Sequence, residues 1–182
     1  MAKTEQKTQQ PTFSHFVHAC VFNQLLARHM LQQSPSWLTV ANRIGETALT
    51  DVVVENYLDA ARFLLDAGAD INTRDMSAAT PLMQAAGLGY QELVVLLLER
   101  GAEVNAHDED QETALFKAVR YGHIEICEAL IAAGAEVQIK NDMGEALADV
   151  ALRRKSEQVR NALIRHGYQE AMPPDDLTIR CT

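Results

Sequence analysis

A chain of 182 residues with 47% hydrophobic content is long enough to bury a sizeable core in one domain or two. Aromatics make up only 5%, so that core must be built from small and aliphatic side chains packed closely. A formal charge of −9 argues against nucleic acid or an anionic membrane as the main partner, because both need clustered Lys and Arg, and it allows a partner with a basic surface.

In chain order, 1–13 reads as a disordered leader: it is rich in Gln and Thr, carries Pro11 and lacks the apolar run of a secretory signal. The spacing over 14–32 predicts one helix, with Phe16, Val17, Cys20, Val21 and Leu25 on one side and Ser14 as its N-cap. Ser34-Pro35-Ser36 breaks it, and Trp37-Leu38 follow. Leu31 and Leu38 lie 33 residues before Leu64 and Ile71, so 14–44 is expected to be a degenerate first unit that caps what comes next.

From Gly45 onward the chain repeats. Thr47, Thr80 and Thr113 are 33 residues apart, and Gly68, Gly101, Gly134 and Gly167 keep the same step. Such a period marks a solenoid, in which each unit buries its apolar face against its neighbours. The units are 45–75, 76–108, 109–141 and 142–168, the last a C-terminal cap, and 169–182 is expected to be a flexible tail. Each unit reads as helix, tight turn, helix and hairpin. Thr80-Pro81 is a helix start, since Thr can cap and Pro at the first helical position gives up no needed N–H. Gly89 and Gly122 end the first helix, and Asn56 takes that place in the unit before; Lys155, in the last unit, predicts a different turn. The second helix puts Leu93, Val94, Leu96 and Leu97, then Ile126, Cys127, Leu130 and Ile131, between units. The periodic glycines follow as C-caps. Asp75, Asp108 and Asn141, with Asn42 before them, mark the hairpin turns. The fold class is an all-α repeat solenoid of helix-turn-helix units with short β-hairpins or turns.

The stretch TPLMQAAGLGYQELVVLLLERGAEVNAHD, 80–108, resembles an ankyrin repeat, whose pattern includes T-P-L-H-x-A at this period. The resemblance covers about 45–168 and extends faintly to 14. It departs at the family's His, which is Thr50, Met83, Phe116 and Asp149 here, so the hydrogen bonds that this His makes between neighbouring turns must be replaced. The Gly-His pair survives only as Gly122-His123. The resemblance implies a curved stack of a kind that mostly binds other proteins, through hairpin tips and the concave helix face, and seldom catalyses. Asn72 and Asn105 match the family's hairpin Asn, which is hydroxylated in some animal ankyrin proteins; outside that case the resemblance implies a hydrogen bond that shapes the hairpin.

Positions that the repeat leaves free are candidates for binding. Met76, Met83, Leu88, Phe116 and Tyr121, flanked by Arg120, form a mixed apolar set of the kind that makes hot spots. The run His107-Asp108-Glu109-Asp110-Gln111-Glu112 would steer a basic partner, with Glu109, Asp110 and Glu112 as contacts. Met83 and Phe116 have an alternative reading as filling for the missing His. Chemistry finds little support. His15, His18 and Cys20 do not share one helix face, no CxxC pair or phosphate loop occurs, and Cys127 falls on a core position. No metal, cofactor, catalytic residue, nucleic acid or membrane is expected. The reading is a monomeric, cytoplasmic adaptor, scaffold or inhibitor. A dedicated regulatory subunit using 14–32 and Trp37, a self-associating structural protein and an enzyme using the N-terminal His and Cys residues stay open.

Overall fold

The structure, a computed structural model, describes residues 11–153 and 157–167. The expectations for the leader, for Lys155 and for the tail therefore fall largely or wholly outside the described residues. Among those residues there are ten α-helices in five consecutive pairs, and no sheet. The pairs are α1 (Phe13–Phe22) with α2 (Gln24–Gln33), α3 (Ala48–Val54) with α4 (Leu58–Asp66), α5 (Pro81–Leu88) with α6 (Gln91–Glu99), α7 (Ala114–Tyr121) with α8 (Ile124–Ala132), and α9 (Leu147–Arg153) with α10 (Glu157–Arg165). Odd-numbered helices stack on one another in a row, as do most of the even-numbered ones. This is an all-α repeat solenoid.

Local chemistry sets the boundaries. Thr80 Oγ1 accepts from Met83 N at 3.4 Å and Thr113 Oγ1 from Phe116 N at 3.3 Å, which satisfies orphan donors at the starts of α5 and α7. Gly89 and Gly122 end those helices at φ +82°, and Asn56 holds the matching place after α3 at φ +60°. The long-period glycines close the second helices by a Schellman motif: the Gly101 N–H reaches Leu98 O at 3.1 Å and Ala102 N–H reaches Leu97 O at 3.0 Å. The core is continuous from Phe16 to Leu163, and alanines at Ala48, Ala85, Ala86, Ala118 and Ala151 let the inner helices approach.

The expected single helix over 14–32 is instead two. Asn23 breaks it, leaving helical backbone at φ −150° and ψ 75°, and its side chain accepts from Leu26 N at 3.1 Å to cap α2. The N-cap of α1 is Thr12 rather than Ser14; its Oγ1 lies 2.7 Å from His15 Nδ1. Asn23 stands 33 residues before Asn56, so α1 and α2 form a helix pair in register with those that follow. Trp37, in a 3-10 turn over Pro35–Leu38, stacks on Phe16 with ring centroids 5.6 Å apart.

The hairpins are tight turns, two of them with an isolated antiparallel bridge, Ala41 to Thr47 and Lys140 to Ala146. Their tips are laced together. Met76 N donates to Ile44 O at 3.2 Å, Glu109 N to Ser77 O at 3.1 Å, and Asp142 N to Asp110 O at 3.0 Å. Each bond links one tip to the next, so the tips form a row with fixed spacing.

Candidate binding surface

Two rows of side chains escape the stack: the hairpin tips and the far ends of the inner helices. At each tip a carboxylate or amide braces the turn. Asp75 Oδ1 accepts from Ser77 N at 2.8 Å and Ala79 N at 3.0 Å. Asp108 Oδ1 accepts from Asp110 N at 3.1 Å and Glu112 N at 2.9 Å. Asn42 and Asn141 do the same for Glu46 and Glu145.

This bracing divides the acidic run. Asp108 and Glu112 are buried, Glu112 to 2% exposure, and both are neutralised from inside. Lys117 Nζ sits 2.6 Å from Asp108 Oδ2 and 3.6 Å from Glu112 Oε2, and the Arg120 guanidinium pairs with Glu112 Oε1. The next unit repeats the arrangement, with Arg153 on Glu145 at 2.5 Å. Glu109 and Asp110 alone of the four carboxylates point into solvent. The sequence carried a signal for this: an acid followed eight residues later by Arg recurs at 112/120 and 145/153.

The apolar candidates separate likewise. Met76 is 70% exposed at a tip, and Tyr121 at 57% and Leu88 at 45% are exposed at the ends of α7 and α5. Tyr121 lies beside Gly87, where an added Cβ would stand 3.7 Å from its ring. His123 Nε2 is 3.1 Å from Gly87 O, and its ring covers Gly89. Met83 and Phe116 are fully buried. Met83 Sδ takes the Thr80 N–H at 3.5 Å, and Phe116 lies beneath the Arg120 guanidinium, 5.8 Å from its ring centre. Thr50 and Asp149 hold the same place, Thr50 within 3.4 Å of Thr47 and Thr73 hydroxyls and Asp149 accepting from Ala146 N at 3.1 Å. Met76 and the acidic tip therefore lie at one end of the inner helices and Leu88 with Tyr121 at the other. Met83, Phe116 and Glu112 belong to the interior, and the half-exposed Arg120 bridges interior and surface.

Asn72 and Asn105 act between units: Asn72 Oδ1 accepts from Glu103 N, and Asn105 Oδ1 from Glu136 N, each at 2.9 Å. Burial pushes the Cys20 and Cys127 thiols up to about 12, so both stay protonated and unreactive near neutrality. His15 caps α1 and the His18 ring lies tilted against Phe22. Among the described residues no group of His, Cys, Asp and Glu is placed to hold a metal ion, and no helix is long and apolar enough to cross a membrane.

A model for ankyrin repeats in three copies matches 74–141, and a single ankyrin repeat matches 44–76. The chain belongs to the ankyrin-repeat family. Comparison with curated proteins gives no match. The two ankyrin matches together take in α3 through α8 and both exposed rows, and the α1–α2 and α9–α10 pairs extend the ankyrin stack at either end. An ankyrin stack is a protein–protein interaction module, and ankyrin proteins are in general not enzymes.

Proposed function

We propose that the chain is a non-enzymatic, monomeric ankyrin adaptor, scaffold or inhibitor acting in the cytoplasm, and that its partner lies across the second and third ankyrin units. The observation that carries this reading is selective exposure. Within 76–121 the stack buries or pairs Met83, Glu112 and Phe116 but leaves Met76, Leu88, Glu109, Asp110 and Tyr121 uncovered. Leu88 and Tyr121, with Arg120, suit a hot spot at the far ends of α5 and α7, and Met76 with the two free carboxylates at the tips, the other end of those helices, suits a basic rim on a partner that spans both. Arg120 contributes through the face left open by Glu112.

Affinity capture from the native cell tests it. Wild-type protein should retain a partner that is lost when Tyr121→Ala is combined with Glu109→Lys and Asp110→Lys. Equal recovery of the same partner by both proteins would overturn the assignment.

A further inference from the structure

The first pair of helices opens a second surface. A groove of about 330 Å³ runs between α1 and α3, walled by Val17, Val21, Phe22 and Tyr57, with Asp51 at one side and His18 lining it. Phe22 is 68% exposed, lies tilted against the His18 ring at 4.6 Å and meets Tyr57 edge-on at 6.4 Å. The Phe22 and Tyr57 rings lie uncovered on the surface, whereas Phe16, Phe63 and Phe116 are buried in the core.

Comparison of equivalent positions shows what the groove lacks. In the unit that begins at Glu109, Lys117 and Arg120 neutralise Asp108 and Glu112. Sixty-six residues earlier, at the same places in the repeat, stand Asp51 and Val54, while the acid Glu46 is kept. The unit at Glu46 therefore has a carboxylate where its counterpart has the neutralising cation. Neither Glu46, Asp51 nor Glu55 is in an ion pair with a described residue. Burial, then Glu46 and Glu55, holds the Asp51 carboxyl above its ordinary range, which is the mark of an anion without its counterion.

We propose that this groove docks an arginine side chain presented by an extended protein segment, with Asp51 pairing its guanidinium and Phe22 and Tyr57 stacking on its plane, while Glu46, outside the lining and held by the Asn42 amide at 2.8 Å, adds to the negative field. The bound arginine supplies from outside the charge that Lys117 and Arg120 supply from within. Arginine is favoured over lysine because a planar guanidinium stacks on aromatic rings and pairs with carboxylates in a forked geometry. Flanking apolar residues fit the Val17 and Val21 walls. The inference rests on the reading of the stack as a protein-binding module but not on the surface around Tyr121.

The test is a titration of the isotopically labelled full chain, followed by nuclear magnetic resonance, with the blocked peptide Gly-Leu-Arg-Leu-Gly and with versions carrying Lys or Gln at the centre. The arginine peptide should shift resonances of His18, Phe22, Asp51 and Tyr57, and the glutamine peptide should bind about tenfold more weakly or less. Asp51→Lys, which recreates the internal cation of the later unit, should abolish the shifts; if that variant loses its helical circular dichroism, Asp51→Asn serves in its place. Phe22→Ala, at an exposed site, should weaken binding without changing the melting temperature. The Tyr121 triple variant should bind the peptide as wild type does, so failure here and failure of the Tyr121 surface are separable. Equal shifts with the glutamine peptide, shifts confined to Leu88 and Tyr121, or no shifts at millimolar arginine peptide would each overturn the proposal.

Discussion

Single residues carry some of the sharpest stability signals in this chain. Ala78 and Gln111 sit at φ +59°, in register with Gly45 and Gly144 at the same turn of neighbouring units. A side chain pays steric strain there that glycine avoids, so Ala78→Gly and Gln111→Gly should each stabilise the fold by about 0.5–1 kcal/mol in urea unfolding, less whatever the freer unfolded chain gives back. Gly101 is the converse. It stands at φ +84° with open space where a Cβ would go, so Gly101→Val is disfavoured by backbone conformation alone and should cost more than about 1 kcal/mol. Asp51 offers a test with a pH signature. Its raised folded-state value means the native protein holds that proton to higher pH than the unfolded chain does. Below the unfolded-state value both states are protonated and nothing is lost. As pH rises through the raised value the native state carries an unfavourable charge. Asp51→Asn should therefore melt higher than wild type at neutral pH and match it near about pH 3, where both carry a neutral side chain. The special conformation at Gly101 was legible in the sequence from periodicity. That at Ala78 and Gln111 was not, because neither residue type signals positive φ.

At the scale of elements, the repeat was readable because helix caps and inter-unit contacts recur at fixed spacing, while pairing inside a unit left only the eight-residue step from acid to Arg at 112/120 and 145/153. Periodicity places Glu112 in line with Glu46, Ala79 and Glu145 but says nothing of its burial, which depends on Lys117 and Arg120 reaching back from the face of α7. Glu112→Ala should leave Arg120 without its buried partner and Lys117 with Asp108 alone, and cost about 1–3 kcal/mol, the lower part of the range for a buried pair because Arg120 stays in reach of water. Glu109→Ala, one turn away but solvated, should shift the unfolding midpoint by less than about 0.5 kcal/mol, and the contrast between the two is the measurement that matters. The break at Asn23 was hidden for a related reason. Apolar spacing runs straight through it, and only the 33-residue step to Asn56 reveals that a turn belongs there. The α1–α2 pair thus has the architecture of the later units with little of their sequence.

For the whole molecule, the question is whether that first pair is a member of the stack or an attachment to it. The packing supports membership. Phe16, Ala19, Cys20, Ala27 and Met30 are buried in the same continuous core as Leu49, Val53 and Leu64, and a helix pair of this size has too little core to stand alone. Stack stability is a sum of weak units and strong interfaces, so a unit gains its order from the contact beside it. Trp37 makes this measurable. It is the sole tryptophan, and its ring stacks on Phe16 in the first pair, whereas circular dichroism reports helices along the entire stack. If the first pair folds with the rest, urea transitions followed by Trp37 fluorescence and by circular dichroism should coincide, and deletion of 1–40 should lower both the midpoint and the denaturant slope, because it removes core and bares Leu49 and Val53. If the pair were only tethered, the fluorescence transition would fall at distinctly lower urea and the deletion would leave the midpoint of the remaining helices unchanged. The same experiment bears on the groove between α1 and α3: a site shared by two units requires that the interface between them be formed whenever the stack is.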